Sequence, residues 1–112
     1  MKHHEQFIEG KPTPKGRPRM TKTGHVYTPE STRRAEAALR AAYSGPLFHG
    51  LVSVDVNVSK DGYGFIIHEL SDDEKSSLRG DVDNYCKTLL DALNGVAWDD
   101  DKQVTRVSMR KY

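Results

Sequence analysis

The chain has one cysteine, Cys86, one tryptophan, Trp98, and no apolar run long enough to cross a bilayer. A single thiol excludes an intrachain disulfide and suits a reducing, cytoplasmic setting. One cysteine with scattered histidines leaves no zinc-ligand spacing. His3 and His4 lie near the start, where a frayed, solvated end is the simpler reading. No apolar stretch after the first residues reads as a signal peptide. A Walker loop and a nucleophile elbow are both absent, so neither chemistry is offered. No repeat or composition break divides the 112 residues, which amount by length to one domain. With 36% hydrophobic residues the core is a modest one.

What is present is charge, unevenly placed. The net charge of +1 conceals ten Lys/Arg against five Asp/Glu in residues 1–60, and seven against eleven in residues 61–112. A basic half can hold a polyanion while an acidic half holds cations. The basic half contains 10-GKPTPKGRPRMTKTGH-25, with Lys11, Lys15, Arg17, Arg19 and Lys22 and no acidic residue. Its prolines and glycines exclude a regular helix. Cations on a stiff, extended loop suit phosphate contacts, although a solvated loop would look similar.

The remaining pattern predicts an α+β domain with a mixed or antiparallel sheet and two helices. Short strands are expected at residues 6–9 and 25–28. Thr28-Pro29 reads as a helix start, with the threonine hydroxyl as N-cap. Ala35, Ala38, Leu39, Ala42 and Tyr43 carry that helix over 29–43. Residues 51–58 alternate Val52, Val54, Val56 and Val58 with polar residues, the mark of a half-buried strand. Residues 59–80 are mostly polar apart from Phe65-Ile66-Ile67, and 72-DDEK-75 reads as a solvated loop. Val82, Cys86, Leu89, Leu90 and Leu93 make the apolar stripe of a second helix. Asn94-Gly95 stops it. Thr105, Val107 and Met109 then alternate within 103–111, as a last strand would.

The second helix opens on 81-DVD-83. Asp81 belongs on the extended lead-in and Asp83 in the first turn, so both carboxylates stand near the helix N-terminus. Capping and metal binding both explain such a pair, and capping is the commoner. The balance shifts with 98-WDDDKQV-104, since three adjacent acids repel unless a cation compensates. Oxygen ligands without His or Cys suit Mg²⁺ or Mn²⁺. A calcium-binding EF-hand fails, because no glycine or glutamate falls at the required positions after Asp81.

D81-V-D83-N84, K87, D91-A-L93, then G95-V, W98, D100-D101 and Q103-V104, resembles the RusA-type Holliday junction resolvases. The entry G10-K-P-x-P-K15-G-R17-P-R19, followed by H25-V-Y-T-P29, is similar to that family's N-terminal segment. The resemblance implies a homodimeric, Mg²⁺-dependent endonuclease cutting four-way DNA junctions symmetrically. It places the essential carboxylates on Asp81, Asp83 and Asp101 and the functional lysine on Lys87. Asp100 aligns with the first member of an acidic pair, as a further metal candidate, and Asp99 is extra. Lys87 could otherwise bond Asp83 at i, i+4, worth tenths of a kcal/mol. Trp98 reads as a core or interface anchor. A structure-selective DNA-binding protein without catalysis is the alternative, against which the acidic clusters argue.

Overall fold

A computed structural model describes residues 2–16 and 19–112, Arg19 in its backbone alone. The chain is α+β and divides into two compact units, Met1–Leu70 and Ser71–Tyr112.

The first unit is built on a three-stranded antiparallel sheet. Strand β1 is His3–Glu9; β2, Arg19–Met20, and β3, Val26–Tyr27, form a separate two-stranded ribbon; helix α1 spans Glu30–Ala42; β4 is Val52–Ser59 and β5 Gly62–Glu69. The sheet order is β1-β5-β4, so β5 is central. The expectation of a polar stretch over 59–80 is thus corrected: it contains the middle strand. Tyr63, Phe65 and Ile67 do alternate there, but Gly62, Gly64 and His68 dilute the signal. Ser59 pairs with Gly62 across the two-residue turn Lys60-Asp61. Gly62 has φ +151°, and a Cβ there would overlap the Ile8 carbonyl oxygen, so only glycine lets β1 close on the hairpin.

The registers set Gln6, Phe65 and Val56 in one cross-strand row and Ile8, Tyr63 and Val58 in the next. Helix α1 is anchored on this face. The Tyr43 ring meets His4 at 5.2 Å and Phe65 at 6.2 Å between centroids, and Gln6 Nε2 donates to the Ala42 carbonyl at 2.8 Å. Its N-cap is Pro29 rather than Thr28, without a side-chain cap bond. Pro29 takes an extended backbone (ψ 144°), which delays the helix by one residue. Thr32 is buried instead, and its Oγ1 accepts from Gly16 N–H at 2.9 Å, which ties the basic segment to α1.

The valine face of β4 departs from the expected half-burial. Val52, Val54, Val56 and Val58 are 40%, 53%, 56% and 57% exposed, because β4 is an edge strand flanked on one side only, while the Tyr43 ring packs on His4 of β1 and Phe65 of β5. No hydrophobic side chain is fully buried among the described residues.

The second unit holds a 3₁₀ turn at Asp72–Glu74, exposed as expected of the acidic run, helix α2 at Val82–Leu93 and a second 3₁₀ turn at Asp101–Gln103. Gly95, at φ +78°, follows the C-cap Asn94 and closes α2 where the Asn-Gly stop predicts. The expected strand over 103–111 does not form. Its side chains alternate, but its unit offers no strand to bond with, and a strand exists only through a partner ladder. The tail is fastened by its ends instead: Ser76 Oγ and Ser77 N–H donate to the Tyr112 carbonyl oxygen at 2.7 and 3.1 Å, and Arg110 pairs with Glu74 at 3.3 Å.

Candidate active site

The approach to α2 is gripped at one peptide on each side. Gly80 N–H donates to the Tyr85 hydroxyl at 3.1 Å, and Lys111 Nζ donates to the Gly80 carbonyl at 2.9 Å. Lys111 also reaches the Leu78 carbonyl at 3.5 Å. These bonds fix the segment that delivers Asp81. Sequence reasoning assigned neither Tyr85 nor Lys111 to the site; the glycine just before an aspartate and an aromatic residue was the available hint.

Asp81 is the N-cap of α2, with φ −71° and ψ 141°, and its carbonyl accepts the first helical bond from Asn84 N–H at 3.1 Å. Its side chain makes no capping bond among the described residues. The carboxylate therefore occupies the capping position without doing the capping. Asp83 follows in the first turn, exposed to solvent, where the partial positive charge of the helix end favours an anion. Lys87 lies one turn further along, exposed, and forms no ion pair with Asp83 among the described residues. The modest i, i+4 role is thus not taken up.

The three neighbouring acids separate into three environments. Asp100 is the N-cap of the second 3₁₀ turn: its Oδ1 accepts from Lys102 N–H at 2.8 Å, while Gln103 Oε1 accepts from Asp100 N–H at 3.0 Å. This reciprocal capping box commits one Asp100 oxygen to structure. Asp101 Oδ1 accepts from Trp98 Nε1 at 2.8 Å. Asp99 is exposed and has no hydrogen-bond partner among the described residues. The loop between α2 and these acids is braced by Val96 and Ala97 N–H on the Leu93 carbonyl and by Gly95 N–H on the Trp98 carbonyl at 2.7 Å.

The donor set fits a hard divalent cation in kind: oxygen ligands only, with Asp81 free of capping and Asp101 keeping its second oxygen. Among the described residues, no three His, Cys, Asp or Glu side chains already converge as a metal cage.

The basic segment belongs to the other unit. Lys11 is exposed at the exit of β1, and Lys22 is exposed in the turn between β2 and β3, where Thr21 N–H donates to the His25 carbonyl at 2.8 Å. Lys15 pairs with Glu36 at 3.4 Å, an exposed contact of little energetic weight that a phosphate can displace. Arg17 lies outside the described residues; Arg19 pairs through its backbone with Tyr27. No described helix is long and apolar enough to cross a membrane.

Comparison with known proteins adds an independent line. A curated relative, the uncharacterized protein YqaN of Bacillus subtilis (strain 168), is 29% identical over 119 residues, covering 94% of this chain and 84% of that protein. No solved structure matches the chain significantly. The family model described as endodeoxyribonuclease RusA matches residues 9–112, taking in the basic segment and both acidic blocks. The chain belongs to the RusA endodeoxyribonuclease family.

Proposed function

We propose that this protein resolves four-way DNA junctions by paired, symmetric nicks in DNA recombination and repair, as a cytoplasmic homodimer that uses Mg²⁺, with Mn²⁺ able to substitute. Membership of the RusA family makes it a DNA endonuclease of the junction-resolving kind; the metal, its ligands and the dimer are our reading.

The observation that carries the reading is the state of Asp81. An aspartate at an N-cap ordinarily spends its carboxylate on the N2 or N3 amide. Here it does not, although Tyr85 and Lys111 hold the preceding residue, Gly80, by its N–H and its carbonyl. A carboxylate left unbonded on a backbone fixed at the preceding residue is suited to a ligand. In this reading Asp81, Asp83 and Asp101 hold the cation, with Asp100 contributing at most the oxygen its cap leaves free. A bound magnesium ion supplies charge neutralisation and water activation. Lys87, unpaired with Asp83, neutralises charge building on the phosphate. Lys11, Lys15, Arg17, Arg19 and Lys22 contact the DNA backbone and set affinity rather than chemistry.

The dimer follows from the reaction. Two nicks at symmetry-related positions call for two sites, and this chain has one set of acids. A two-fold pair matches the substrate's symmetry. The exposed valine face of β4 offers apolar surface for such a contact. Incubating a synthetic four-way junction with and without Mg²⁺ tests the function: paired nicks that need the cation are expected, and metal-independent cutting or binding without cutting would overturn it.

A further inference from the structure

We infer that Trp98 is a positioning residue for Asp101, fixing through its indole N–H which carboxylate oxygen is left for the cation; the inference rests on reading Asp101 as a metal ligand. Trp98 Nε1 and Asp101 Oδ1 are 2.8 Å apart in a half-buried setting. An indole nitrogen only donates, so the bond has one polarity and the ring is never itself a ligand. Its acceptor is a charged oxygen, which makes this the stronger class of hydrogen bond. With Oδ1 held, the carboxylate cannot rotate freely and presents Oδ2, which has no hydrogen-bond partner among the described residues.

Both ends of the bond are themselves fixed. The Trp98 backbone is held by Gly95 N–H on its carbonyl and by the bridge to Asn94. Asp101 is the first residue of a turn closed by the Asp100–Gln103 capping box. Residues 94–103 therefore form a braced loop whose role is to aim one carboxylate. The rival account has the dependence reversed, with Asp101 merely satisfying a half-buried indole N–H. The two differ in what happens to cation binding when the N–H alone is removed.

The test uses the whole chain and Mn²⁺ as probe, with free Mn²⁺ read by electron paramagnetic resonance. Trp98 is the one tryptophan, so in the wild type and in Asp101→Asn its emission reports the same titration. Trp98→Phe removes the donor, and the unnatural isostere β-(3-benzothienyl)alanine at position 98 does so without changing ring volume. Partners of this kind cost about 10–100-fold in metal affinity when lost. A Mn²⁺ affinity weakened at least tenfold in both variants, with unchanged circular dichroism and with cleavage recovering at high Mn²⁺, is the expected result. Affinity within twofold of wild type for the isostere, while Asp101→Asn loses binding, would overturn the positioning role and leave Asp101 as ligand. Normal Mn²⁺ binding by Asp101→Asn itself would overturn the ligand reading, and the inference with it.

Discussion

Gly80→Ala puts the grip on the α2 approach to a quantitative test. A methyl group at Gly80 would lie 2.9 Å from three atoms of the Tyr85 side chain, including its hydroxyl oxygen. Something must shift, and the ring is the softer partner because Tyr85 is 46% exposed. Overpacking costs about 1–3 kcal/mol in a tight core, so a yielding surface ring sets the cost at the low end, ~1 kcal/mol. On a domain of this size that lowers the melting temperature by roughly 4 °C. The displaced ring also releases the Gly80 N–H, and Asp81 loses its fixed delivery. A displacement of about 1 Å at a reacting centre is worth up to ~100-fold in rate, so cleavage should fall by more than the stability loss explains. The decisive assay is a double-mutant cycle with Tyr85→Ala, read by thermal melting and by single-turnover junction cleavage. With the ring gone, Gly80→Ala should cost almost nothing in stability, giving a coupling of about 1 kcal/mol. An equal cost with and without the ring, or normal cleavage by Gly80→Ala alone, would refute the reasoning.

Further outcomes follow from the same geometry. Asp81→Asn, Asp83→Asn and Asp101→Asn should each abolish junction cleavage while binding, measured by gel shift, survives; near-normal cutting by any one removes it from the metal site. Asp100→Ala should cost about 0.5–2 kcal/mol in stability through the lost cap, whereas Asp100→Asn keeps a capping oxygen and should keep cleavage; a dead Asp100→Asn with a normal melt would make it a ligand. Replacing Lys11, Lys15 and Lys22 by alanine should flatten the log–log salt dependence of junction affinity by about 0.9 per lost contact; an unchanged slope returns the segment to solvated surface. Val54→Asp with Val56→Asp should shift sedimentation from a dimer to a 12.6 kDa species and uncouple the two nicks; an intact dimer would place the interface elsewhere.

The two helices and the end of α2 were legible in the residues, though not the start of α1, where Thr28 provides no cap and the helix begins one residue later. Helical bonds run between near neighbours, and a stop signal such as Asn94-Gly95 acts locally. The placement of Asp81 on an extended lead-in and Asp83 in the first turn was legible for the same reason. So was the valine alternation of β4, since a strand's two faces are written in its own residues. Partners decided the rest. Strand β5 went unread because its glycines hide the alternation and its standing comes from pairing with β1 and β4 on both sides. The stretch 103–111 has the alternation but no partner, and so forms no strand. The acidic residues show the same division. The two acidic blocks raised the expectation of a hard cation, and the family resemblance ranked their five aspartates, but neither says which atoms those carboxylates bond. The folded chain supplies that: Asp100 caps a turn, Asp101 takes the Trp98 N–H, and Asp81 stands at a cap with its carboxylate unused. Those differences are hydrogen bonds, and which atoms a hydrogen bond joins depends on distances that a linear pattern does not contain.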